Sequence, residues 1–94
     1  MLIIAGPLRI DAANRDQYVA DCIGVVTQAR SAPGCLDFAI TADSVAPDRV
    51  NVFERWESDT ELEVFRGSGP DAGQKAQLLD AQVRKYRISA TEDP

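Results

Sequence analysis

The run Arg49-Val50-Asn51-Val52-Phe53-Glu54-Arg55-Trp56-Glu57-Ser58 constrains the fold more than any other stretch of this sequence. With the two-residue repeat of a strand, Val50, Val52, Glu54 and Trp56 share one face, and Asn51, Phe53, Arg55 and Glu57 share the other. Apolar side chains on both faces need cover on both, so the strand belongs near the middle of a sheet. Ser58-Asp59-Thr60-Glu61 then has the pattern of a capping box, with Ser58 capping a helix and Glu61 reaching back to the first free backbone donors. The strand thus carries Trp56, the one tryptophan of the chain, to the start of a helix.

The remaining elements arrange themselves around this strand. Leu2 to Ile10 is almost continuously apolar, as a strand buried on both faces would be. Pro7 offers no ladder donor, so a bulge or local break in pairing is expected near Gly6-Pro7, and Ala5 and Gly6 leave room for something to approach the sheet closely. A plain packing accommodation is the alternative. After a turn at Asp11 to Asn14, the positions Tyr18, Cys22, Val25, Val26 and Ala29 recur at helical spacing and predict one amphipathic helix from about Asn14 to Ala32, stopped by Pro33-Gly34. Cys35 to Thr41 alternates, with Leu36, Phe38 and Ile40 opposite Asp37, Ala39 and Thr41, which predicts a second strand. Ala42 to Asp48 is a polar connection of hairpin type.

Beyond Ser58, Leu62 and Phe65 form an apolar pair at helical spacing, and Gly67-Ser68-Gly69-Pro70 interrupts the helix. Pro70 suits the first position of a second helical segment with a stripe of Ala72, Ala76 and Leu79. Gln82 to Ala90 predicts a last strand, with Arg84, Tyr86 and Ile88 opposite Val83, Lys85 and Arg87 and a charge pattern suited to an edge. Residues 91–94 read as a loose tail.

The order strand, helix, strand, strand, helix, strand is that of an α+β ferredoxin-like βαββαβ sandwich, a four-stranded antiparallel sheet with both helices on one face. Right-handed crossovers put the first and third strands in the centre, where the sequence has apolar residues on both faces. The other sheet face, carrying Phe53, must meet water or a second sheet, and a two-fold homodimer packing sheet on sheet is the economical solution. A single domain of 94 residues buries about 60 to 65% of its unfolded surface, so self-association would help it.

Charge and composition exclude several functions. A net charge of −5 repels phosphate backbones and anionic bilayers, which argues against nucleic acid and membrane as partners. The opening Met-Leu-Ile-Ile-Ala-Gly-Pro-Leu lacks a basic start and is too short to span a bilayer, so it reads as a strand, with a cytoplasmic location as the default. Cys22 and Cys35 are not spaced as a redox pair and read as reduced, packed thiols. Histidine is absent, which removes Ser-His-Asp and Cys-His catalysis and histidine-ligated zinc or haem.

Few motifs carry chemistry. Gly67-Ser68-Gly69-Pro70-Asp71-Ala72 has the form of a dinucleotide fingerprint, but it follows a helix rather than a strand of a parallel unit and reads as a helix break. Glu54 and Glu57 point to opposite faces of a strand, and the scattered acidic residues suggest no metal site. Trp56 suits either core packing or a site wall. Glu54 lies beside it on a largely apolar face, either in a structural ion pair or cap, or as a carboxyl of raised pKa suited to proton abstraction. Asn51, Arg55 and Glu57 suit a polar network across a dimer seam.

Ile4-Ala5-Gly6 with Leu8-Arg9-Ile10, Pro33-Gly34-Cys35-Leu36 and Asn51-Val52-Phe53-Glu54-Arg55-Trp56-Glu57-Ser58 together resemble the antibiotic biosynthesis monooxygenase family over nearly the whole chain. The resemblance implies a dimeric α+β barrel and a monooxygenase, an oxidoreductase that uses O2 and no cofactor on a small phenolic, quinol or polycyclic aromatic molecule. A haem-degrading branch shares the position of Trp56. It uses a histidine where this chain has Gly69-Pro70-Asp71-Ala72-Gly73, and a polar residue where it has Gly6, so haem is not implied. In such chemistry the substrate is itself the reductant, and the protein must deprotonate it beside O2 and exclude water. Glu54 would be the base, Trp56 a wall and hydrogen-bond donor, and Asn51 a polar contact, although Asn51 shares the pocket of Trp56 only if the strand is bulged. Tyr18, Phe38, Phe65 and Tyr86 would line a substrate pocket between sheet and helices. A non-catalytic dimeric binding module, or an isomerase or decarboxylase using the same pocket, are the rival readings, because a fold does not establish an activity.

Overall fold

In a computed structural model of the chain, which describes residues 1–67 and 77–94, the elements run β1 (Leu2–Ile10), α1 (Arg15–Asp21), α2 (Ile23–Arg30), β2 (Cys35–Ala42), β3 (Arg49–Trp56), α3 (Asp59–Arg66), β4 (Leu78–Ala81) and β5 (Arg84–Arg87). The sheet is antiparallel in the order β2-β3-β1-β4, with β5 also pairing β1. The central pair is therefore β1 with β3, as their two-sided apolar character requires, and the architecture is ferredoxin-like.

The β1–β3 ladder runs without a break from Leu2 opposite Trp56 to Arg9 opposite Arg49. This register fixes the faces. Leu2, Ile4 and Leu8 lie with Trp56, Glu54 and Val50 under the helices, while Ile3, Ala5, Pro7 and Arg9 lie with Arg55, Phe53, Asn51 and Arg49 on the open side. Two buried clusters result. Leu2, Ile4, Ala29, Phe38, Trp56 and Leu62 form one, Leu8, Ile10, Tyr18, Cys22 and Val50 the other, and Ile40 and Val83 touch both.

The break expected at Gly6-Pro7 falls on one side of β1 only. Pairing with β3 continues past it, but on the other side Gln82 and Val83 separate β4 from β5. Pro7 cannot donate there. Its carbonyl accepts from the Gln82 N–H at 2.9 Å. Gly6 has φ +148°, and a Cβ at that position would overlap the Gln82 carbonyl. The room left by the small residues is thus filled by the chain's own backbone. The bulge proper lies further along, where the register shifts between Arg9 and Ile10 opposite Leu79.

Other expectations are corrected. The single helix from Asn14 to Ala32 is two segments: the Cys22 N–H is shared between the carbonyls of Tyr18 and Val19 at 3.1 Å each, a local tightening that interrupts the regular ladder. Leu36 does not share the inner face of Phe38 and Ile40. A register shift between Cys35 and Asp37 puts Cys35 opposite Trp56 and leaves Leu36 partly exposed. Leu79, assigned to a helical stripe, is in β4 and 72% exposed; pairing with β1 overrides the helical spacing. The helical segment opened by Pro70, with Ala72 and Ala76, and the glycine-rich motif beyond Gly67 lie outside the described residues. The expected capping box is also altered, because Ser58 Oγ bonds Glu61 Oε2 at 2.8 Å instead of capping a backbone N–H.

The stop at Pro33-Gly34 takes the form of a type II turn. Proline presets the first central position, Gly34 takes φ +80°, and the Cys35 N–H reaches the Ala32 carbonyl at 3.2 Å. The Ala42 to Asp48 connection is held by Asp43, whose Oδ2 accepts from the N–H groups of Val45 and Ala46 at 3.1 and 2.8 Å. Arg15 closes it from α1 by donating to the carbonyls of Asp43, Ala46 and Arg49. Among the described residues, no helix is long and apolar enough to cross a membrane.

Candidate functional site

The two clusters leave a cavity of about 390 Å³ between sheet and helices. Its apolar wall comes from Leu8 on β1, Val25 on α2, Phe38 and Ile40 on β2, Val52 on β3, Phe65 on α3, Leu78 on β4, and Val83. Its polar groups are Tyr18, Cys22, Gln28, Glu54 and Arg66. Pockets for small organic ligands run from about 300 to 1,000 Å³ and combine apolar walls with a few fixed polar groups, a description this cavity meets at its small end.

Glu54 is held at this cavity by strand alternation, which points it inward between Val52 and Trp56. It is 8% exposed. The Trp56 indole Nε1–H donates to Glu54 Oε1 at 3.0 Å. Oε2 has no hydrogen-bond partner among the described residues, and Glu54 lines the cavity. Burial pushes the Glu54 carboxyl above its ordinary range, and the Trp56 hydrogen bond and the charge of Arg66 pull it back. The result is a carboxylate of raised basicity, anchored by one oxygen and with no partner for the other among the described residues.

Trp56 stands behind this carboxyl rather than on the cavity wall. It is fully buried, and its ring lies against Phe65 with centroids 5.3 Å apart and planes tilted by 36°. Phe65 in turn meets Phe38 edge to face at 5.8 Å. These aromatic contacts fix the indole, and the indole fixes Glu54. At the other end, Tyr18 and Cys22, one helical turn apart, are hydrogen-bonded to each other. Burial, reinforced by Cys22, pushes the Tyr18 hydroxyl up to about 12, so Tyr18 remains a neutral phenol. Burial likewise pushes both thiols, Cys22 and Cys35, upward, and both are reduced.

Of the residues singled out from sequence, Tyr18, Phe38, Glu54 and Phe65 meet at the cavity, with Trp56 supporting them. Asn51 and Tyr86 do not. The unbroken β1–β3 register keeps Asn51 on the open face, where it accepts from Arg49 at 2.7 Å and donates to Asp43 at 2.9 Å. Tyr86 pairs with Ile3 on the same open face and is 55% exposed. Cys22 and Ile40 were legible by spacing from Tyr18 and Phe38. Gln28, Arg66 and Leu78 carry no local signal, because tertiary packing alone brings them to the cavity. Among the described residues, no three acidic or cysteine side chains gather at metal-binding spacing.

The antibiotic biosynthesis monooxygenase family model matches residues 1–77. The chain belongs to this family. Solved structures with the same fold include a provisionally assigned antibiotic biosynthesis monooxygenase from Nitrosomonas europaea, at TM-score 0.79 and 11% identity, covering 96% of this chain and 100% of that one. One of the same provisional assignment from Chloroflexus aurantiacus has TM-score 0.76 and 21% identity, covering 98% and 96%. The Rv0793 protein of Mycobacterium tuberculosis has TM-score 0.69 and 23% identity, covering 98% and 95%. At these identities the likeness establishes the fold alone. A search of curated proteins finds no match.

Proposed function

We propose that this member of the antibiotic biosynthesis monooxygenase family is a cofactor-independent monooxygenase for a small phenolic, hydroquinone or polycyclic aromatic substrate. The observation that carries the reading is Glu54: a buried carboxylate of raised pKa that lines an apolar cavity, with one oxygen held by Trp56. The ring lies against Phe38 and Phe65, and its hydroxyl gives its proton to Glu54 Oε2. The resulting phenolate is electron-rich enough to reduce O2. One oxygen atom becomes a carbonyl at a ring carbon. The other leaves as water with the phenolic hydrogen, returned through Glu54, and the hydrogen displaced from that carbon. The apolar walls keep bulk water from the anion.

The open sheet face suits a second copy of the chain. Ile3, Ala5, Pro7 and Phe53 lie side by side in the register there, with Tyr86 at the edge, and two such faces packed together give the α+β barrel of a homodimer.

The test is oxygen uptake by the chelator-treated protein, without flavin, on a panel of hydroquinones and polycyclic phenols, corrected for autoxidation. Saturable uptake with an oxygenated product is expected, at least about 100-fold lower in Glu54→Gln, the usual scale for loss of a general base. Trp56→Phe removes the donor that holds Oε1, so the pH at which activity rises should move upward. Absence of uptake across the panel would return the protein to a binding role.

A further inference from the structure

Several cations among the described residues are committed to partners. Arg9 pairs with Asp48, Arg49 with Asp43, and Lys85 and Arg87 with Asp59. Arg30 donates to the Phe38 carbonyl, and Arg15 closes the β2–β3 connection. Arg55 and Arg66 make no hydrogen bond or ion pair among the described residues, and of the two only Arg66 lines the cavity, where its charge acts on Glu54. The guanidinium and the Glu54 carboxylate therefore border one cavity without closing on each other. Arg66 is exposed and Glu54 is buried, so the cation sits at the mouth and the base lies deep.

We propose that Arg66 is a specificity-determining residue and that the cavity selects aromatic ligands bearing a carboxylate. The ring occupies the apolar section, the phenolic hydroxyl reaches Glu54, and the carboxylate at the opposite end meets the guanidinium. This rests on the reading of the cavity as an aromatic site and adds the ligand's charge to it. The planar fork of an arginine suits a carboxylate bidentately, which adds geometric specificity to the charge. On a protein of net charge −5, a cation with no partner among the described residues, beside an apolar cavity, is the local feature that would draw an anion inward. The plainer account of Arg66 is a cation in the last turn of α3, favourable to the helix dipole; it predicts no effect on ligand choice.

Isothermal titration of the full chain with 6-hydroxy-2-naphthoate and with 2-naphthol separates the two accounts, since these probes share ring and hydroxyl and differ in the carboxylate. The wild-type protein should bind the naphthoate at least about tenfold more tightly. Arg66→Gln should abolish that preference while leaving the 2-naphthol affinity within about twofold, and Arg66→Lys should keep part of it. In the wild type itself the preference should shrink as salt rises. Equal wild-type affinities, or a preference that survives Arg66→Gln, would overturn the inference. No binding of either probe would overturn it together with the aromatic site. A carboxylate preference lost in Arg66→Gln but without oxygen uptake on any substrate would support it while rejecting the monooxygenase.

Discussion

A buried carboxylate is costly, and Glu54 shows what offsets that cost and what does not. One oxygen receives an indole hydrogen bond, but no cation among the described residues pairs with the carboxylate directly, and desolvation outweighs the rest. A carboxyl whose folded pKa lies above its unfolded value binds its proton more tightly in the folded state. It therefore favours folding at low pH, and that contribution is lost as pH rises from the unfolded value through the folded one. Glu54→Gln keeps an acceptor for Trp56 and removes the charge. We expect its Tm to exceed that of the wild type by several degrees at neutral pH, with the gap closing below about 4.5, the ordinary glutamate value. Circular dichroism melts across this range are the measurement, and a neutral-pH Tm below that of the wild type would contradict it. A residue that lowers stability where it is ionised is what a site selected for basicity would retain.

Among the elements, β1 governs the sheet because it pairs with three strands, β3 along one edge and β4 and β5 along the other. Its β3 edge is continuous, while its other edge accommodates an interruption between β4 and β5 at Gly6-Pro7. The proline was legible in the sequence as a defect in a ladder; which ladder would carry the defect was not, since either neighbour satisfies the same local rule. The positive φ at Gly6 and the closeness of Gln82 make the position intolerant of a side chain. Gly6→Ala should lower unfolding free energy by about 1 to 3 kcal/mol in urea melts, the scale of a strained non-glycine residue. Faster amide exchange is expected in β4 and β5, with β3 little affected. Gly34→Ala at φ +80° belongs to the same class. Acid acts on another element: hydrogen bonds from Ala46, Asn51 and Val45 hold Asp43 down to about 2. Its contribution to the β2–β3 connection is present above the ordinary aspartate value of 3.8 and fades as pH falls through about 2.

On the scale of the whole molecule, the open face is the surface that a second copy would cover. Phe53 is 36% exposed at its centre, between Ala5 on β1 and Ala39 on β2, an apolar strip that a partner sheet would bury. Sedimentation should give twice the 10.2 kDa chain mass, and Phe53→Glu should return it to the monomer with lowered stability, since each partner would then bury an unpaired charge. A wild-type monomer at micromolar concentration would contradict the sheet-on-sheet assembly.

Sequence by itself determined the strand periodicity, the turn at Pro33-Gly34, the two central strands, and the inward side of β3 that carries Glu54 and Trp56. These follow from alternation, turn chemistry and binary pattern, all of which act over a few residues. Tertiary structure alone decided the rest. Asn51 stayed on the open face because β3 pairs with β1 without a bulge, and Tyr86 joined it because β5 takes its register from Ile3. Leu79 became strand because a long-range ladder outweighed a helical spacing. Arg66 reached the cavity beside Glu54 through the packing of α3 against the sheet, a placement set by contacts between residues distant along the chain, which no local pattern encodes.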